Sequence, residues 1–199
     1  MQPVTYKDLN IVYEDNHIIV VIKPFNIPSQ GDNTGDADML TLIKQYLVEK
    51  YNKPGEAFVG LVHRLDRPTG GVMVFAKTSK AASRLSESIR EGDFEKKYLA
   101  VVCGSPVHKS GKLEHYLKKD ARTNIVVIAP FSEEGAKRAE LDYKVLDETQ
   151  GFSLVSINLI TGRSHQARVQ MASLGTPIFG DMKYGADKRS KGYNLALWA

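Results

Sequence analysis

Between residues 96 and 160, five stretches with strand character follow one another with no helical period among them: 96–103, 113–117, 125–129, 138–146 and 152–160. Parallel strands need a long crossover, usually a helix, to bring the chain back to the same end of a sheet. A succession without one predicts an antiparallel or mixed sheet and excludes a doubly wound parallel one. Alternation assigns the faces: Lys97, Leu99, Val101 and Cys103 point one way and Lys96, Tyr98, Ala100 and Val102 the other, while Leu141, Tyr143 and Val145 point inward.

Upstream, residues 11–14 and 17–22 read as a hairpin turned at Asp15-Asn16 and stopped by Lys23-Pro24. Residues 25–36, rich in Pro, Gly, Asn and Asp, read as a loop. Asp38 is the predicted cap of a helix in which Met39, Leu42, Ile43, Tyr46, Leu47 and Tyr51 recur at helical spacing, and Pro54-Gly55 follows its end. Ser79 is the predicted cap of a second helix, striped by Ala82, Leu85 and Ile89 and ended by Gly92. A third follows Thr161-Gly162, with Ser164 as its predicted N-cap and Gly175 just past its end. Its start is crowded with Arg163, His165, Gln166 and Arg168. Arginines oppose the positive end of the helix dipole, a conflict that an anion, carboxylate or phosphate, resolves.

Residues 61–77 join these parts. Val72 to Ala76 form an apolar run suited to a strand covered on both faces, and Pro68, Gly70 and Gly71 make 63–71 a tight bend before it. One acid, Asp66, stands in that bend between Arg64 and Arg67. An acid on a rigid loop between buried strands is well placed to present a reactive group. It is also an ordinary turn former, and taken alone it reads first as a solvated ion pair.

Composition narrows the chemistry. The length of 199 residues suits one compact domain or one with a small appendage. No apolar run approaches the roughly 18 residues of a membrane span, and Lys7 and Asp8 interrupt any signal-like apolar start. The single Cys103 excludes an internal disulfide, fits a reducing cytosol and reads as a small buried hydrophobe. The five histidines show no i, i+4 pairing with an acid between, so no metal site is expected. Net charge is +4, but residues 77–122 hold eleven Lys and Arg against six acids, and Lys183, Lys188, Arg189 and Lys191 cluster around Asp187. Such concentration suits a polyanion, nucleic acid first, although a charge run is more often a solvated face.

Three segments then fit together: His-Arg-Leu-Asp-Arg-Pro-Thr-Gly-Gly at 63–71, Lys-Lys-Tyr-Leu-Ala-Val-Val at 96–102, and Leu-Ile-Thr-Gly-Arg-Ser-His-Gln-Ala-Arg at 159–168. With Lys23-Pro24 and the run from Leu174 to Gly185 they resemble, in order and over nearly the whole chain, the signatures of the RluA-type pseudouridine synthases. The resemblance implies an α+β fold, a mixed and largely antiparallel sheet with helices and loops flanking an RNA-binding cleft. It implies a single catalytic domain over 1–199 with no separate S4-like RNA-binding domain before it. Related sequences continue through another strand beyond Leu195-Ala-Leu-Trp-Ala199, so the domain is either cut short or lacks that strand.

Carried over by position, the resemblance makes Asp66 the essential carboxylate, Tyr98 a second catalytic side chain and Arg163 the ion-pair partner of Asp66. Arg64 helps expel the target base and fills its place, and His63, Thr69, His165 and Gln166 join it in binding substrate. The implied protein is a cytoplasmic monomer that needs no cofactor or metal, acts on uridines of structured ribosomal or transfer RNA and stays off membranes. The departures are Gly70, where the family usually has Ser, and Gln170, where it usually has His. Two other functions fit the residues less well. A non-catalytic RNA-binding protein on this scaffold does not need Asp, Tyr and Arg together, and a glycoside or nucleoside hydrolase generally needs a second acid or a metal.

Overall fold

The computed structural model describes residues 4–186 and 188–199; Asp187, at the centre of the second basic cluster, and the side chain of Arg189 lie outside the described residues. Backbone contacts divide the chain into two compact units, one running to Phe94 and including Ala199, the other Glu95–Trp198.

The first unit carries β1 (Asn10–Glu14), β2 (Ile18–Lys23), α1 (Met39–Lys50), β3 (Gly60–Leu61), β4 (Gly71–Ala76) and α2 (Ser79–Glu91). Its sheet has the order β1-β2-β4-β3, every pair antiparallel. Asp15 closes the predicted hairpin by accepting the backbone N–H groups of His17 and Ile18, both at 2.7 Å. Ile19, Val21, Met73 and Phe75 of the strands and Leu42, Ile43 and Leu47 of α1 are buried. Glu14 ties three elements together: its carboxylate accepts from Lys50 at 2.8 Å, Tyr46 at 2.9 Å, Tyr51 at 2.7 Å and Lys77 at 2.6 Å. Burial alone would raise the Glu14 carboxyl, but these bonds outweigh it and bring it down to about 2.

The second unit carries β5 (Lys97–Cys103), β6 (Ser110–Asp120), β7 (Ile125–Ala129), β8 (Lys137–Thr149), β9 (Phe152–Leu159), α3 (Gln166–Ser173) and β10 (Leu197–Trp198). The order is β10-β5-β9-β8-β6-β7, again antiparallel at every pair. The helix-free succession thus becomes one sheet, whose inner residues Ala100, Val102, Leu141, Val155 and Ile157 form a core with Ala167 and Met171 of α3.

Several local expectations shift. Thr78, not Ser79, caps α2: its extended backbone lets its side chain accept from Ala81 N, and Ser79 is already helical. Ser164 does not cap α3; His165 holds that place in the left-handed region at φ 51°, without a side-chain cap bond. Val72 faces outward, because β4 is covered on both sides only from Met73 onward. Cys103 is half-buried rather than a core residue, since it ends β5.

Candidate active site

In the first unit the bend from 62 to 70 is fixed mainly through its backbone. Thr69 N–H donates to Asp66 O at 2.9 Å, closing the turn. Lys23 continues the inward alternation Ile19, Val21, Lys23 and is fully buried. Its ammonium donates to Pro24 O at 3.0 Å, Ile27 O at 2.7 Å and Arg67 O at 3.0 Å. Burial brings Lys23 down to about 8, opposed by the nearby negative charge of Asp66 and assisted by the positive charge of Arg67. A buried cation held by three carbonyls thus lies within electrostatic reach of the candidate carboxylate, which is itself half-buried.

Arg67 does not flank Asp66 as a solvated pair. Its guanidinium turns to the loop before α1, donating to Asn26 O at 3.1 Å, Thr34 Oγ1 at 3.1 Å, Asp32 at 3.4 Å and Asp36. The Arg67 hydrogen bond is the main reason the Asp36 carboxyl lies below its usual range. Arg64 is exposed. His63 and Thr69, expected at the substrate, are placed differently. His63 Nε2 accepts the Val74 N–H at 3.1 Å and the ring packs on Phe94 at 5.3 Å, so the imidazole pins β4 to the bend. Burial brings His63 down to about 4 and keeps it neutral. Thr69 is 1% exposed, and its hydroxyl has no hydrogen-bond partner among the described residues.

In the second unit Tyr98 lies on β5 opposite Ile157 and packs against the core cluster, on the face shared with buried Ala100 and Val102. The start of α3 brings Arg163, His165 and Gln166 together. Arg163 is exposed; its backbone N–H donates to Gln166 Oε1 at 3.0 Å and its Nε to Arg138 O at 2.8 Å. That bond engages one of the guanidinium's five N–H donors and orients the fork.

Gln166 is 2% exposed, and its amide serves the fold: Oε1 also accepts from Thr161 Oγ1 at 2.7 Å, and Nε2 donates to Glu140 O at 2.9 Å. A buried amide so engaged holds the loop carrying Arg163. His165 is likewise buried, its Nδ1 2.6 Å from Tyr184 Oη, which accepts the Val126 N–H at 2.9 Å. The anion expected at this helix start is, for Arg168, the Asp181 carboxylate: Nε and Nη2 reach its two oxygens at 2.7 and 2.8 Å, both side chains buried. Gln170 pins α3 to the sheet by donating to Leu113 O at 3.1 Å and Ala139 O at 3.3 Å.

Lys23, Arg67 and Asp181 were passed over as support for these residues. Lys23 had a signal, since a lysine in phase with two inward apolar residues on a strand is either buried or misread. Arg67 and Asp181 had none, because their partners lie 31 and 13 positions away. Among the described residues, no three His, Cys, Asp or Glu side chains converge as a metal site requires.

Comparison with known proteins gives one answer. A family model described as RNA pseudouridylate synthase matches residues 17–173. The chain is 37% identical over 179 residues to ribosomal large subunit pseudouridine synthase C of Rickettsia bellii, covering 89% of this chain and 57% of that protein. It is 35% identical over 195 residues to ribosomal large subunit pseudouridine synthase D of Xanthomonas campestris, covering 96% of this chain and 56% of that one. The chain therefore spans a little over half the length of these relatives. Among solved structures, human RNA pseudouridylate synthase domain containing 4 superposes with a TM-score of 0.80 at 25% identity, over 96% of this chain and 82% of that one. Human RNA pseudouridylate synthase domain containing 1 gives 0.78 at 28%, over 100% and 79%.

Proposed function

The chain belongs to the RNA pseudouridylate synthase family, and from that premise we propose that it isomerises specific uridines of RNA to pseudouridine with Asp66 as the essential carboxylate. The reaction breaks the C1′–N1 bond, turns the uracil and joins C1′ to C5. Asp66 acts either by attacking the nucleotide or by removing a sugar proton, and both routes require an ionised carboxylate at a fixed place. Arg163 is its proposed ion-pair partner, because a planar fork both holds the charge and sets its direction. Tyr98 is proposed to stack on the uracil and to take the C5 proton at the end.

A uridine inside a helix is out of reach, so the target base must leave the stack at a cost of a few kcal/mol. Arg64 is proposed to take the vacated space. Lysines and arginines of 77–122 are proposed to hold phosphates, which offsets that cost without reading sequence. The names of the two bacterial relatives favour large-subunit ribosomal RNA as substrate, with transfer RNA as the other structured candidate. We place the protein in the cytoplasm as a monomer, in keeping with its single cysteine.

The observation that carries the reading is the Asp66 bend: an acid at a turn whose backbone is bonded on both sides, near a fully buried lysine. The test is tritium release from ribosomal RNA labelled with 5-tritiated uridine. Asp66→Asn is expected to abolish release while RNA affinity stays within about threefold, because phosphate contacts supply most of the binding. Full turnover by that variant removes Asp66 from the mechanism.

A further inference from the structure

Loop residues 24–38 carry one buried hydroxyl, on Ser29, which is 5% exposed. Its Oγ donates to Leu65 O at 2.8 Å and accepts the Leu65 N–H at 3.2 Å, 36 positions away. One side chain thus satisfies both backbone groups of the residue immediately before Asp66, as a neighbouring strand would. Leu65 is buried, so neither group has water as an alternative.

The chain on either side of Ser29 is anchored to regular structure. Ile27 O accepts from Lys23 at the end of β2, and Pro28 O accepts from Met39 N at the start of α1 at 2.9 Å. Asp38 caps that helix by accepting from Thr41 N. Behind Ser29 stand a strand end and a helix start, and in front of it stands the acid's own backbone. Beyond the acid, Asp66 O is bonded to Thr69 N–H and Arg67 O to Lys23. Ser29 therefore closes the N-terminal side of a frame whose other side is already fixed.

We propose that Ser29 is a positioning residue for Asp66: its hydroxyl sets where the carboxylate stands by bonding both backbone groups of Leu65. The inference rests on the isomerase reading given above. It assigns Ser29 no contact with RNA and no part in proton transfer.

The experiment compares the wild-type chain with Ser29→Ala in three measurements: tritium release from 5-tritiated uridine in ribosomal RNA, thermal unfolding, and hydrogen exchange at the Leu65 amide. The expected result is faster exchange at Leu65 and a kcat lowered at least about tenfold, with KM within about twofold, since small displacements of a reacting group cost rate rather than binding. A purely structural serine gives a lower Tm with kcat per folded molecule unchanged. Released exchange at Leu65 with wild-type kcat overturns the proposal. Should Ser29→Ala fail to fold, Ser29→Cys keeps the volume with a weak donor: reduced kcat at a retained Tm supports the role, and full kcat overturns it. A wild-type chain that releases no tritium from either ribosomal or transfer RNA is a separate result, which overturns the isomerase reading and the positioning role with it.

Discussion

A guanidinium can orient a carboxylate by shape as much as by charge, and the pairing proposed for Arg163 makes that distinction measurable. Its Nε is bonded to Arg138 O at 2.8 Å, which fixes the plane of the fork. Lysine keeps the charge and loses both the plane and this bond. Arg163→Lys is therefore expected to lower single-turnover isomerisation by about 10²-fold, within the range seen when one preorganised electrostatic contact is lost. Because Arg163 is exposed, the Tm is expected to stay within about 2 °C, the change typical of a surface substitution. An unchanged rate shows that a bidentate pair is not needed. At this scale the signatures in the sequence are what single out Asp66, Tyr98 and Arg163 as the residues proposed to act. Gln166 and His63 also bond the protein's own backbone, which the sequence does not reveal, because a polar residue inside a signature looks the same whether it faces a ligand or a neighbouring backbone group.

Helix α3 shows how much an element depends on a single buried pair. It has eight residues and no side-chain cap, so its own propensity contributes little to its stability. It is held by Met171 in the core, by Gln170 against two carbonyls, and by Arg168 on Asp181. Asp181→Asn leaves the Arg168 charge buried without its counter-ion, at an expected cost of about 3–5 kcal/mol. Urea unfolding of the variant reads this directly; a loss below about 1 kcal/mol means that Arg168 finds other compensation. Helix existence was legible from the Thr161-Gly162 turn before it and Gly175 just past its end. The N-cap was not, since Ser164 satisfies the cap preference while the bonds of Gln166 to Thr161 and Arg163 tighten the turn and delay the helix until Gln166.

For the whole molecule, pH acts through groups whose folded pKa departs from the unfolded value. His63 is held down at about 4 by burial, so the unfolded chain binds its proton first. The associated stability is fully present above about pH 6.5 and is lost as pH falls toward 4, by at most about 3 kcal/mol. Glu14, brought down to about 2, adds a second loss that begins below about pH 4.5. Thermal melts from pH 7 to 3 are expected to show Tm falling in both windows, with His63→Gln flattening only the upper one. A decline between pH 6.5 and 4 that survives in His63→Gln assigns it to other groups. The sequence by itself determined the antiparallel or mixed organisation of residues 96–160, the hairpin, the three helices and the bend with its acid, because alternation, helical spacing and turn formers are written in neighbouring positions. Tertiary structure alone decided that Lys23 bonds Arg67 O, that Arg67 turns to Asp32 and Asp36, and that Ser29 bonds Leu65. Each of those contacts joins residues tens of positions apart, which no local pattern encodes; for Lys23 and Ser29 what selects it is the need of a buried polar group for a partner, and for the more exposed Arg67 it is the cluster of acceptors in the facing loop.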